Sequence, residues 1–195
     1  MSPFTACPLT ARERLGATRP PPFLFAAKLS RFITHLRRLH EVNDPLDLYL
    51  ARMKLLGDKL GSILVQLPAN MPMNIDRLQH FLAQCDPALR WAVEFRHPSW
   101  LVPGTFDMLA RHRAALCLHD LLPDHPLRIT APFTYVRFHG AGQPDDGKYS
   151  NAHLHLWADR LRAWRVDGCE IYAYFNNDAH GHALQNARTL RGLLQ

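Results

Sequence analysis

The chain lacks every long apolar run. None approaches the roughly 18–20 residues that a membrane helix needs, so a membrane-spanning helix is excluded. The N-terminus, MSPFTACPLTARERL, has no continuous apolar h-region, which argues against a secretory signal. Cysteine is sparse: Cys7, Cys85, Cys117 and Cys169 lie far apart and form no Cys-x-x-Cys. In 195 residues that pattern reads as reduced thiols of a cytoplasmic protein, with Cys117 and Cys169 as small core residues. No Gly-x-Gly-x-x-Gly follows the first strand candidate, which weakens a dinucleotide-binding fold, and no such cofactor is expected. A Walker loop, a Gly-x-Ser-x-Gly elbow and zinc-finger spacing are also missing. Lysine is scarce too, 4 against 19 arginines.

What is there is a globular composition, 47% hydrophobic and 21% charged, with net charge +6. Arginine forks bind carboxylate and phosphate two-pronged, so anionic ligands or nucleic acid are possible partners. A solvated basic surface would give the same totals.

Residues 1–22 are punctuated by Pro3, Pro8 and Pro20-Pro21-Pro22 and read as irregular. Six apolar ribbons follow: Phe23–Lys28, Ser62–Leu67, Trp91–Phe95, Ala115–His119, Phe133–Phe138 and Cys169–Phe175. Each has a polar cluster at or after its C-terminal end. Helical spacing lies between them. Asp44-Pro45 starts one helix and Gly57 stops it. Asn74 caps the next, Phe106, Leu109 and Ala110 mark a short one, Leu154 to Trp164 a clear one, and Ala183 to Leu194 the last. Strand alternating with helix predicts a parallel α/β sheet with right-handed crossovers. Gln66, Glu94 and Arg137 are polar residues inside strands near their C-terminal ends. They favour a barrel, whose upper inner layer can be the floor of a site, over an open sheet that would bury them against helices.

The segments FLFAAKLSRFITH, LGSILVQLP, WAVEFRHPSW, YVRFHG and YAYFNNDAHGHALQNA resemble the YecE-like family, also called the domain of unknown function 72 family. The resemblance implies a TIM-barrel fold over residues 23–195 and no established activity. Family members usually begin with two further strands whose motifs are absent here. The expectation is therefore a TIM-barrel-like fold with about six of eight strands present, the first two βα units missing and residues 1–22 an N-terminal remnant. Exposed sheet edges would then invite association.

Strand ends of a barrel converge at one mouth, where catalytic groups gather. Glu94, His119 and His139 are the candidate acid–base residues. Lys28, Arg31, Gln66, Arg96, His97, Asp120, Arg137, Asn176, Asn177 and Asp178 are candidates for substrate binding. The ligand expected is small and anionic or polyhydroxylated, sugar-like or phosphorylated. The same charges would also serve as a structural ion-pair network. Glu94, His119, His139 and Asp178 are metal-ligand types, but none shares a short ligand spacing, so no metal is assigned. Trp157 reads as core. A nucleic-acid-binding or endonuclease-like barrel and a non-catalytic remnant are the alternatives.

Overall fold

The computed structural model describes residues 23–122, 124–140, 142 and 147–195. Among these residues six strands, β1 (Phe25–Lys28), β2 (Leu60–Gln66), β3 (Arg90–Glu94), β4 (Ala115–His119), β5 (Phe133–Phe138) and β6 (Glu170–Phe175), form one sheet. They neighbour one another in chain order and every pair is parallel. The helices are α1 (Asn43–Met53), α2 (Ile75–Gln84), α3 (Pro103–Arg111), α4 (Asn151–Val166) and α5 (His182–Leu193). No helix of the described residues is long and apolar enough to cross a membrane.

Period-two alternation splits the strands between two faces. Ile63, Val65, Trp91, Val93, Leu116, Leu118, Val136 and Phe138 pack into the large core with the helices, and Trp157 of α4 joins them. The intervening residues Leu64, Ala92, Ala115, Cys117, Phe133, Tyr135 and Tyr172 form a second, smaller core on the other face.

That second face is concave. Arg137 of β5 reaches Gln66 of β2 at 3.3 Å, and Arg90 of β3 meets Glu170 of β6 at 2.8 Å. In a flat sheet, strands three places apart stand roughly 14 Å from each other. The six strands thus curl into a half-barrel. Gly61 lies at one close approach. A Cβ there would lie 3.2 Å from the Phe25 carbonyl oxygen, 3.2 Å from Tyr172 Cε1 and 3.3 Å from Leu24 Cβ. Gly61→Val is accordingly expected to cost about 1–3 kcal/mol by overpacking, read as a lower urea midpoint. An unchanged midpoint would mean that β6 does not come this close to β2.

Several elements begin or end away from the positions expected from sequence. α1 begins at Asn43, not at Asp44, because the buried Val42 supplies the first carbonyl, to Leu46 N at 2.8 Å, with no side-chain cap. The α-helix ends at Met53 and tightens to a 3-10 stretch, Lys54–Lys59, in which Gly57 takes the left-handed φ of 53°. A π-helical turn, Phe32–Leu36, follows β1 with no residue pattern that marks it. Cys117 is fully buried, but Cys169 is only partly so, as it precedes β6.

Candidate functional site

The alternation that sends Leu64, Ala92 and Tyr135 to the concave face sends Gln66, Glu94 and Arg137 there too, one step nearer the strand ends. Parallel pairing keeps these tips together: Gln66 pairs with Glu94, and His119 with Arg137. Curvature then closes them into one network. Lys28 Nζ donates to Gln66 Oε1 at 2.7 Å. Arg137 Nη1 donates to Glu94 Oε2 at 2.6 Å, and Arg137 Nε to Asn176 Oδ1 at 3.0 Å. Arg96, in the loop after β3, donates from Nε to Glu94 Oε1 at 2.6 Å. Tyr135 and Tyr174 stack beneath, with centroids 4.9 Å apart, as a floor. Their positions, two residues before Arg137 and Asn176, are the signal that would have found them.

Glu94 has no solvent exposure, while the side chains of Arg137 and Arg96 are 12% and 29% exposed. Burial pushes the Glu94 carboxyl up, but the charges and hydrogen bonds of Arg137 and Arg96 outweigh it and hold the group below its usual 4.5. Arg137 gains correspondingly: burial disfavours its charge, and Glu94 more than restores it. Lys28 is shifted down, first by burial and then by Arg137, with Arg96 and Arg31 adding to the effect and Glu94 opposing it. Among the described residues, Glu94 thus faces Arg96 and Arg137 with Lys28 close by, and this network carries more positive than negative charge.

The Glu94 shift has a sign that can be checked. The folded state holds this carboxylate below its unfolded value, so its contribution is complete above the usual 4.5 and is lost as pH falls through the folded value. Wild-type stability should therefore fall across that acid range, and Glu94→Gln should flatten the fall in urea titrations from neutrality downward. An identical slope in both proteins would show that Glu94 is not held ionised.

The other predicted site residues have different company. Asp120 Oδ1 accepts from the His139 backbone N–H at 2.8 Å, its other oxygen accepts from the Tyr149 hydroxyl, and that hydroxyl accepts from Gly140 N at 2.8 Å. Asn177 is buried and donates to the Gly147 carbonyl at 2.8 Å and to Asn186 Oδ1 at 3.0 Å. These residues brace the loops after β5 and β6. His139 is 4% exposed beside them. His119 donates from Nε2 to the Phe95 carbonyl at 2.7 Å, and its Nδ1 accepts from Leu121 N at 3.3 Å. Burial holds its pKa down, and both nitrogens face backbone. His97 caps the Pro98–Trp100 turn by accepting from Ser99 N. Asp178 is exposed just before the Ala179–Gly181 turn. Arg31 is exposed after β1, in the field of Lys28 and of His35. His35 in the π-helical turn is lowered by burial and then by Arg31 and Lys28, and so stands beside the rim, where its place soon after the first apolar ribbon puts it.

Convergence of Glu94, His119, His139 and Asp178 on one ion does not occur, since Glu94 is occupied by two arginines and His119 by backbone. Among the described residues no three His, Cys, Asp or Glu side chains cluster as a metal site would need.

Strand order, curl and rim define a parallel α/β half-barrel with an electropositive polar network at the strand C-terminal ends. The chain belongs to the DUF72 family, proteins of unknown function, whose model matches residues 6–195. It is similar to the UPF0759 protein YunF of Bacillus subtilis, 26% identical over 175 residues, covering 71% of this chain and 59% of that one. The chain thus spans about three fifths of the length of this curated relative. A DUF72 family protein of Thermotoga maritima superposes with a TM-score of 0.85 at 22% identity, covering 99% of this chain and 82% of that one. One from Enterococcus faecalis gives 0.82 at 20% identity, covering 98% and 81%. At such identities these structures show the fold alone.

Proposed function

We propose that this chain is an enzyme acting on a small, polyhydroxylated molecule that carries a phosphate or carboxylate, bound at the rim. The observation that carries the reading is that, among the described residues, two guanidinium groups, Arg96 and Arg137, share the buried carboxylate of Glu94, with Lys28 beside them on Gln66. Arg96 and Arg137 each commit only part of their guanidinium forks to Glu94, and the remaining donors suit an oxyanion. Glu94 then orients the forks instead of taking a proton, since a carboxyl held below its usual range is a weak base. Lys28, exposed beside this pair and bonded to Gln66, is the rim group placed for proton transfer, and burial and Arg137 lower its pKa.

In this reading the six strands are six of the eight in a TIM-type barrel, where sites lie at the C-terminal face. Chain-order parallel pairing and the layered concave face support it. The outer edges of β1 and β6 are then places for association, and the free Cys85, Cys117 and Cys169 suit a cytoplasmic setting.

Thermal-shift and calorimetric titration with inorganic phosphate, a hexose phosphate and the unphosphorylated hexose test the site. The phosphates should raise the melting temperature, and the plain sugar should do less. Arg96→Gln, which leaves Glu94 its Arg137 partner, should weaken phosphate binding roughly tenfold, about 1.4 kcal/mol. Equal response to all three ligands would sink the reading. Tight duplex binding with a log–log salt slope of roughly one per phosphate would replace it with a nucleic-acid function.

A further inference from the structure

Lys28 differs from the other cations of the rim. It closes β1 and is exposed, so its amine can be reached from the mouth of the half-barrel. Among the described residues its hydrogen bond goes to a neutral amide oxygen, Gln66 Oε1, at 2.7 Å. The carboxylate in its surroundings, Glu94, is already taken by Arg96 and Arg137 at 2.6 Å each. The groups facing Lys28 come from every neighbouring element: Arg31 from the segment after β1, Glu94 from β3, Arg96 from the loop after β3, and Arg137 from β5. His35 of the π-helical turn stands in the same field. A lysine surrounded by cations and bonded to a neutral acceptor loses part of the advantage of its proton, and the free amine is a nucleophile. The burial and charge effects on Lys28 act in that direction.

We propose that Lys28 is a catalytic nucleophile that forms an imine with a carbonyl compound whose carboxylate or phosphate rests on Arg96 and Arg137. The inference rests on the anion-binding reading of the same rim. In the step, the Lys28 nitrogen lone pair attacks the carbonyl carbon and a C–N bond forms. The carbonyl oxygen takes up protons and leaves as water, breaking the C–O bond. One amine, one carbonyl and one proton become one iminium ion and one water, with no oxidant or reductant required. The iminium withdraws electrons from the adjacent carbon, the chemistry used to cleave or form carbon–carbon bonds or to move a proton there.

The scarcity of lysine makes the test clean, because Lys54, Lys59 and Lys148 are the other lysines in the chain. The full chain is incubated with sodium cyanoborohydride, which delivers hydride to an iminium carbon, and one of three probes. Pyruvate supplies a carboxylate, dihydroxyacetone phosphate a phosphate, and dihydroxyacetone no charge, and all three are ketones. Adducts are mapped by peptide mass. Lys28 should label roughly tenfold or more faster than the other three lysines, as expected for an activated amine. It should favour a charged probe, and inorganic phosphate should suppress the labelling. The preferred charged probe tells a carboxylate source from a phosphate source. Lys28→Arg should abolish the adduct yet keep the phosphate-dependent thermal shift, which shows that the fold and the anion site survive. Equal labelling of all four lysines, or equal labelling by charged and uncharged probes, overturns the proposal. A phosphate-dependent shift without a Lys28 adduct also overturns it and leaves the anion reading standing; absence of both removes both.

Discussion

Arg137→Ala is expected to lower stability at neutral pH by about 3–5 kcal/mol, the usual consequence of removing one partner of a buried ion pair. The variant keeps Glu94 fully buried but strips away the 2.6 Å bond from Nη1. It also removes the bonds to Gln66 at 3.3 Å and to Asn176 at 3.0 Å. Arg96 remains on Glu94, and because it is the more exposed partner its compensation is screened. With Arg137 gone, burial dominates the Glu94 equilibrium and raises its pKa, so the deficit should shrink as pH falls and the carboxyl takes up a proton. The double variant Arg137→Met with Glu94→Leu removes both charges and should recover most of the loss. Urea midpoints at unchanged m-value are the measurement. A single-variant cost under about 1 kcal/mol would show that Arg137 is not what keeps Glu94 charged in the interior.

Trp100→Ala should cost a similar amount, about 3–5 kcal/mol, as large buried aromatics do when truncated. Trp100 has no exposure. Its ring stacks on Phe95 with centroids 4.8 Å apart, and its indole N–H donates to the Met71 carbonyl at 2.8 Å. Phe95 directly follows β3 and Trp100 closes the turn after it, so the pair clamps the loop carrying Arg96. Phosphate affinity should therefore fall in this variant although the indole is remote from the anion. Trp100→Phe retains the stack and loses the bond, and should recover all but about 1 kcal/mol of stability. Unaltered phosphate affinity in a folded Trp100→Ala protein would uncouple the clamp from the site.

Much of the fold was legible from local signals. Ala115–His119 and Phe133–Phe138 match β4 and β5 residue for residue, because apolar runs bounded by turn residues have few other places to go. Asn74 was readable as a cap, and its side chain accepts from Arg77 N at 2.9 Å. The π-helical turn was not readable, since its wider hydrogen-bond spacing has no strong residue signature. Asp120 and Asn177 looked like rim groups by position alone; which atoms they bond is decided by Tyr149 and Asn186, far along the chain.

Alternation along each strand is a property of the backbone, so residue order alone puts Lys28, Gln66, Glu94 and Arg137 at strand tips. It could not determine who meets whom. Arg137 lies 71 residues from Gln66 and 43 from Glu94, and the strands between them are brought round only by the curl of the sheet. That curl comes from twist, register and packing summed over all six strands. For this reason the tertiary structure alone turned a row of separate polar ends into one carboxylate ringed by cations.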